Sequence, residues 1–146
     1  MSDISIQIGP TRYKNPVFIA SGICGYAEEY SPLVNLSRLG GVVTKTITML
    51  PRKGNLPPRI HELPHGMLNS IGLENIGLDA FLADKLPKLR RLGVRVIVNF
   101  YGGCRDDYRE LAARLDDVEG VHALEMNISC PNVERGGVLI GQEPEE

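Results

Sequence analysis

Six residues near the end of the chain, Asn127-Ile128-Ser129-Cys130-Pro131-Asn132, place one thiol between two carboxamides. The alternation Val121-His122-Ala123-Leu124-Glu125-Met126 leads in as a strand. Val133-Glu134-Arg135-Gly136-Gly137 leads out as a loop. Pro131 fixes its own φ and pushes Cys130 into an extended conformation. A thiolate can take a proton or attack a carbon. A carboxamide offers a donor and an acceptor on a planar head, which suits the edge of a heterocycle. Free cysteine is usually packing, so the flanking asparagines carry the chemical reading. A second group is Thr44-Lys45-Thr46, where an apolar lead-in delivers a cation between two hydroxyls. An arbitrary lysine is solvated; this lead-in points Lys45 into a site.

Other reactive side chains point nowhere in common. His61, His65 and His122 lack ligand spacing, and Cys24 and Cys104 sit in no partner motif. Neither a metal centre nor a nucleophilic triad is indicated. Tyr101-Gly102-Gly103 lacks the pattern of a phosphate loop.

The elements that must hold these groups follow from hydrophobic periodicity. Ile4 to Ile8 alternates strictly, Gly9-Pro10 turns, and Arg12-Tyr13-Lys14 returns, which predicts an N-terminal hairpin. Val17 to Ala20 is a continuous apolar run ending in Ser21-Gly22, as expected of a strand buried on both faces. A helix is expected from Glu28 to Leu39, interrupted near Pro32 and closed by Gly40-Gly41. Val42-Val43 begins a second buried strand that ends at Thr44-Lys45-Thr46. Thr48 to Asn75 holds Pro51, Gly54, Pro57, Pro58, Pro64, Gly66 and Gly72, which favours turns and short extended pieces. Irregular excursions of that length tend to be functional. A helix from Asp79 to Leu92, with a kink at Pro87, precedes a strand from Val94 that ends at Asn99. A helix from Asp106 to Leu115 and a strand ending at Asn127 complete the series.

Strands and helices thus alternate, and every strand finishes on a polar residue: Ser21, Lys45, Asn99 or Asn127. Chemistry sits at the C-terminal strand ends in a (β/α)8 TIM barrel and in a doubly wound sheet alike. The absence of G-x-G-x-x-G after the first strand disfavours the second architecture. The fold class is therefore α/β, with about the first four βα units of a TIM barrel plus an N-terminal β-hairpin. A barrel takes about 250 residues, so 146 residues are expected to be a truncated half of one domain, with no second domain. Composition agrees with a packed domain: 42% of residues are hydrophobic and 23% charged. A net charge of −2 gives no reason to expect nucleic acid. With no apolar run of spanning length and three cysteines in no framework, a cytoplasmic protein with no membrane segment is expected.

Several pieces together resemble the class 1 dihydroorotate dehydrogenases. They are Asn15-Pro16 through Ala20-Ser21-Gly22, Thr44-Lys45-Thr46, Pro57-Pro58-Arg59-Ile60, Met67 to Leu73, Val98-Asn99 and Asn127 to Asn132. They occur in family order over nearly the whole chain. Val133 with Gly136-Gly137 is similar to subclass 1B, whose partner subunit carries FAD and a [2Fe-2S] cluster and passes electrons to NAD; fumarate is the alternative acceptor in the class. The resemblance implies an FMN enzyme of pyrimidine biosynthesis that oxidises (S)-dihydroorotate to orotate, with Cys130 as the base. It implies flavin contacts at Ala20, Ser21, Lys45, Thr46, Asn99 and Asn127. Substrate contacts are implied at Lys45, Asn69, Ser70, Ile71, Gly72, Leu73, Asn127 and Asn132. It further implies a homodimer core within a heterotetramer. The half-chain alone is expected to bind FMN poorly and turn over little. Two other readings remain at this stage: a non-catalytic half-barrel used in assembly, and a barrel aldolase or isomerase using Lys45 as a Schiff-base amine.

Overall fold

The computed structural model describes residues 2–128. The chain opens with an antiparallel hairpin, β1 (Ile6–Ile8) and β2 (Thr11–Tyr13), in which Ile6 faces Tyr13. Gly9, at φ +54°, makes the turn. β3 (Phe18–Ile19) and β4 (Gly41–Val43) then begin a parallel sheet. After a long excursion, β7 (Val96–Phe100) and β8 (Val121–Met126) extend it, so the order β3-β4-β7-β8 is also the order along the chain. A parallel sheet growing by one neighbour at a time, with crossovers between strands, is the arc of a barrel.

Side-chain alternation divides the two faces of this sheet. Val96 and Val98 are fully buried, and Phe100 packs edge-on to Tyr108 with ring centres 5.9 Å apart. They face α3 (Arg105–Leu115), whose Tyr108, Leu111 and Leu115 form one buried stripe. Ile97 and Asn99 lie on the opposite face. Leu78, Phe81, Leu86 and Leu89 belong to the same core as Val42 and Val96. Full burial of such side chains stabilises by about 1.5–3 kcal/mol each.

The helical segment after the excursion is α1 (Leu78–Ala80), a π turn (Phe81–Lys85) and α2 (Leu86–Arg91) in direct succession. The kink expected at Pro87 takes this form. Proline lacks the N–H that would close the preceding turn, and the ladder widens just before it, with Leu86 N–H donating to Phe81 O. β7 reaches Phe100, so Asn99 lies within the strand rather than at its end.

Two expectations need correction. No helix spans Glu28 to Leu39; there are two single 3-10 turns, Glu28–Tyr30 and Leu36–Arg38. Pro32 removes a donor from the middle of the segment, and the Asn35 side chain accepts from Ser37 N–H, starting the second turn afresh. Nor is β3 buried on both faces: Val17 is 58% exposed and Phe18 and Ile19 only half-buried. β3 is an outer strand of the four-stranded sheet, so its far edge carries no neighbour among the described residues.

The proline-rich excursion forms turns and one exposed hairpin, β5 (Ile60–Leu63) and β6 (Gly66–Asn69), joined through Pro64-His65. Asn75 anchors its return. Its backbone pairs with Arg52, and its amide accepts from Thr48 N–H at 3.2 Å and Gly77 N–H at 2.8 Å. The same amide donates to Leu73 O at 2.7 Å and to Thr48 Oγ1 at 2.9 Å.

Candidate active site

The C-terminal ends of the four parallel strands are stitched together by polar side chains, and Thr44 is the hub. Fully buried, it takes its backbone bond from β7, donating N–H to Ile97 O at 3.0 Å. Its carbonyl accepts from Ser21 Oγ at 2.8 Å, which ties in the end of β3. Its hydroxyl accepts from Asn99 N–H at 3.2 Å. Lys45 N–H then turns away to Gly25 O at 2.8 Å, and the ladder resumes at Ile47, which pairs with Phe100. This break in register places Thr46, 8% exposed, against the next strand ends.

Asn99 Nδ2 donates to Glu125 Oε1 at 2.6 Å, across directly paired residues of β7 and β8. Asn127 Nδ2 donates to Thr46 Oγ1 at 3.2 Å. The backbone of Asn127 is fixed on both sides, its N–H donating to Phe100 O at 2.8 Å and its carbonyl accepting from Tyr108 Oη at 2.6 Å. Ser21, Thr46, Asn99 and Asn127 therefore converge on one rim. Ala20 beside them is exposed.

One atom in this cluster is unsatisfied. Asn99 is 5% exposed, and its Oδ1 is buried with no hydrogen-bond partner among the described residues. The carboxylate at Glu125 can only accept when ionised, so the amide nitrogen must face it and the oxygen must face away. A buried carbonyl oxygen without a donor costs about 1–3 kcal/mol.

Lys45 lines a cleft of 640 Å³ beside this rim, with Tyr26, Arg52, Lys53, Glu74 and Ile76 among its walls. Burial raises the Tyr26 phenol above its ordinary pKa, with smaller pushes upward from Glu29 and Glu74 and an opposing one from Ile76 N–H. Tyr26 therefore stays a neutral phenol, and its Oη accepts from Ile76 N–H at 3.3 Å. Behind it, Lys85 lies over the ring, 5.5 Å from its centre, and ion-pairs with the half-buried Glu28.

Asn69 and Ser70 line a separate groove of 220 Å³. Ser70 N–H donates to Arg59 O at 2.8 Å and Asn55 Nδ2 donates to Ser70 Oγ at 2.8 Å, while Gly72 and Leu73 both have positive φ, at +76° and +56°. Through Leu73 O and the Asn75 amide, the segment from Asn69 to Leu73 is tied to Thr48, three residues beyond Lys45. Ile71 between them is half-buried, and its carbonyl accepts from Asn55 N–H at 3.0 Å. Ser129, Cys130 and Asn132 lie outside the described residues.

Sequence reasoning missed Thr44 as the hub, Tyr26 as a wall of the cleft and Glu125 as the partner of Asn99. Glu125 was within reach: strand alternation puts it two residues before Asn127 and on the same face. Among the described residues no group of His, Cys, Asp and Glu could hold a metal ion, and no helix is long and apolar enough to cross a membrane.

A parallel arc with amides, hydroxyls and a lysine at its C-terminal rim is the architecture of part of a (β/α)8 barrel. Comparison with known proteins narrows the class. The family model described as dihydroorotate dehydrogenase matches residues 4–146. The chain is 52% identical over 145 residues to the dihydroorotate dehydrogenase B (NAD(+)) catalytic subunit of Thermodesulfovibrio yellowstonii, covering 99% of this chain and 48% of that protein. It is 51% identical over 141 residues to the subunit of the same name from Trichlorobacter lovleyi, covering 97% and 46%. The chain thus spans about half the length of these curated relatives. Among solved structures, ligand-free DHODH from Eimeria tenella superposes with a TM-score of 0.66 at 25% identity, over 90% of this chain and 40% of that one. The chain belongs to the dihydroorotate dehydrogenase family.

Proposed function

We propose that residues 1–146 are the N-terminal half of a single FMN-binding barrel domain, in the catalytic subunit of a class 1B dihydroorotate dehydrogenase. The whole protein oxidises (S)-dihydroorotate to orotate in the cytoplasm, for pyrimidine biosynthesis. Its electrons pass to NAD through a partner subunit that carries FAD and a [2Fe-2S] cluster, around a homodimer core in a heterotetramer. The observation that carries this reading is the unsatisfied Asn99 Oδ1, buried on a rim of amides and hydroxyls at the strand ends. A flavin ring edge, with alternating carbonyl acceptors and an imide N–H, matches that donor and acceptor set.

The bound flavin supplies the acceptor for the hydride that leaves C6 of the substrate. The protein supplies the rest. Cys130, as thiolate, takes the proton from C5, so that the C5–C6 bond becomes double and the atoms balance. An ordinary thiol has a pKa of about 8.5, so this step is faster where the thiolate is favoured. Lys45 offers a positive charge beside the ring and the substrate carboxylate. Ala20, Ser21, Thr46, Asn99 and Asn127 hold the flavin edge. Asn69, Ser70, Ile71, Gly72, Leu73, Asn127 and Asn132 hold the substrate, with the Asn75 latch setting the approach of the Asn69–Leu73 segment.

The test uses the full-length protein with bound FMN, mixed anaerobically with dihydroorotate in a stopped-flow instrument. Cys130→Ser is expected to slow flavin reduction at neutral pH by at least about a hundredfold, with partial recovery at alkaline pH. An unchanged rate would remove Cys130 from its role. A full-length protein that binds no flavin would overturn the whole reading.

A further inference from the structure

We infer that Glu125 is a positioning residue, which holds the Asn99 amide so that its oxygen, not its nitrogen, is offered to the ligand. The inference rests on the flavin reading above and adds to it a residue that touches no ligand.

An asparagine amide has two faces of opposite hydrogen-bonding character, and only its partners decide which way it lies. Asn99 has one side-chain partner among the described residues: Nδ2 donates to Glu125 Oε1 at 2.6 Å. That distance is short for an N–H···O bond. Direct pairing of residues 99 and 125 in adjacent parallel strands sets both side chains on the same face. A carboxylate cannot donate, so a reversed amide would set Oδ1 against Oε1 and lose the bond. The penalty for reversal is the lost bond plus the repulsion of two acceptors. Asn99 Oδ1 is therefore a committed acceptor with no donor among the described residues. The complementary group on a flavin edge is the imide N3–H. Carbonyl-bearing edges without an N–H would be refused, because they present acceptor to acceptor.

The mechanism of selection predicts what each substitution does. Glu125→Gln keeps shape and length, yet its amide can donate as well as accept, so Asn99 can lie either way. Glu125→Ala removes the partner altogether.

The full-length protein, loaded with FMN labelled with 15N at its ring nitrogens, is examined by NMR alongside both variants. In the wild type, N3 is expected downfield of its position in free FMN, with slow exchange of its proton. In both variants N3 is expected to move back upfield while N1, N5 and N10 stay in place, and FMN affinity to fall about tenfold, roughly the worth of one hydrogen bond. A purely structural role for Glu125 would loosen the whole ring and move all four resonances together, which would overturn the inference. So would an N3 signal unchanged in both variants, or one that never departs from free FMN in the wild type. In those cases bound FMN and turnover would leave the functional reading standing. Absence of any FMN binding by the wild type would defeat both.

Discussion

Replacing Asn75 by alanine should cost the protein about 3 kcal/mol. Asn75 is 6% exposed, and its amide holds three strands of chain at once. Oδ1 takes the N–H of Thr48 at 3.2 Å and of Gly77 at 2.8 Å; Nδ2 reaches Leu73 O at 2.7 Å. Thr48 and Gly77 are both buried, so the two backbone donors would be stranded in Asn75→Ala, whereas Leu73 is half-buried and its carbonyl can turn to water. A stranded buried donor costs about 1–3 kcal/mol, which gives about 2–6 kcal/mol for the pair. Water entering the space left by the amide would bring the loss toward the lower end. Against a total stability of about 5–15 kcal/mol this is a large fraction. Equilibrium urea unfolding of the full-length protein measures it, as a lower midpoint at an unchanged slope. The same change frees the Leu73 end of the Asn69–Leu73 segment, so KM for dihydroorotate should rise more than kcat falls. A loss below about 1 kcal/mol would refute the assignment of these bonds as buried and unreplaced.

Three further outcomes are expected. Gly72→Ala should destabilise by about 1–3 kcal/mol, because φ is +76° and a Cβ would lie 2.7 Å from Asn55 Cγ and 2.8 Å from Asn55 N; denaturation curves measure this, and a rise in KM should accompany the displaced Asn55–Ser70 contact. Lys45→Ala should lower the rate of flavin reduction by about a hundredfold in stopped-flow experiments, as loss of a charge facing a developing anion does. His122 has its pKa lowered from 6.5, first by burial and then by Arg95, while its Nδ1 accepts from Val96 N–H at 3.1 Å. Above 6.5 it is neutral in both folded and unfolded chains; as pH falls through that value the unfolded chain binds a proton that the folded site resists, so stability drops. His122→Gln, compared with wild type by urea unfolding between about pH 7 and pH 5, should lose that part of the slope.

The barrel arc was legible because its signals are local. Continuous apolar runs, polar residues at their ends and helices between them are all readable along the chain, and β4, β7, β8 and α3 fall where periodicity puts them. The segment from Glu28 to Leu39 was misread because apolar spacing there resembles a helix, whereas Pro32 and the Asn35 cap break it into two turns. β3 is less buried than its hydrophobic run suggests: it is an outer strand of the described sheet, in a chain that spans about half the length of its relatives. At the site, Ser21, Thr46, Asn99 and Asn127 were named and do converge. Thr44 was named as part of Thr44-Lys45-Thr46, but its part as hub was not read, because it depends on cross-strand bonds beside a break in register near the end of β4, which no spacing rule reveals. Glu125 escaped because a charged residue on an alternating strand reads as solvated until its cross-strand partner is known.

The strand order of the parallel sheet bears on how such a chain is made. Each strand of this sheet joins the sheet member made before it, with the β5–β6 hairpin set aside between β4 and β7, so nothing already laid down in the sheet has to open for a newcomer. A polypeptide leaving the ribosome N-terminus first can therefore zip up its sheet as it emerges, with β8 as the growing edge after Met126 has cleared the tunnel. The Asn99–Glu125 bond requires β8, whereas the Ser21–Thr44 and Thr44–Asn99 contacts need only the strands before it, so the polar rim is completed from the β3 side toward β8.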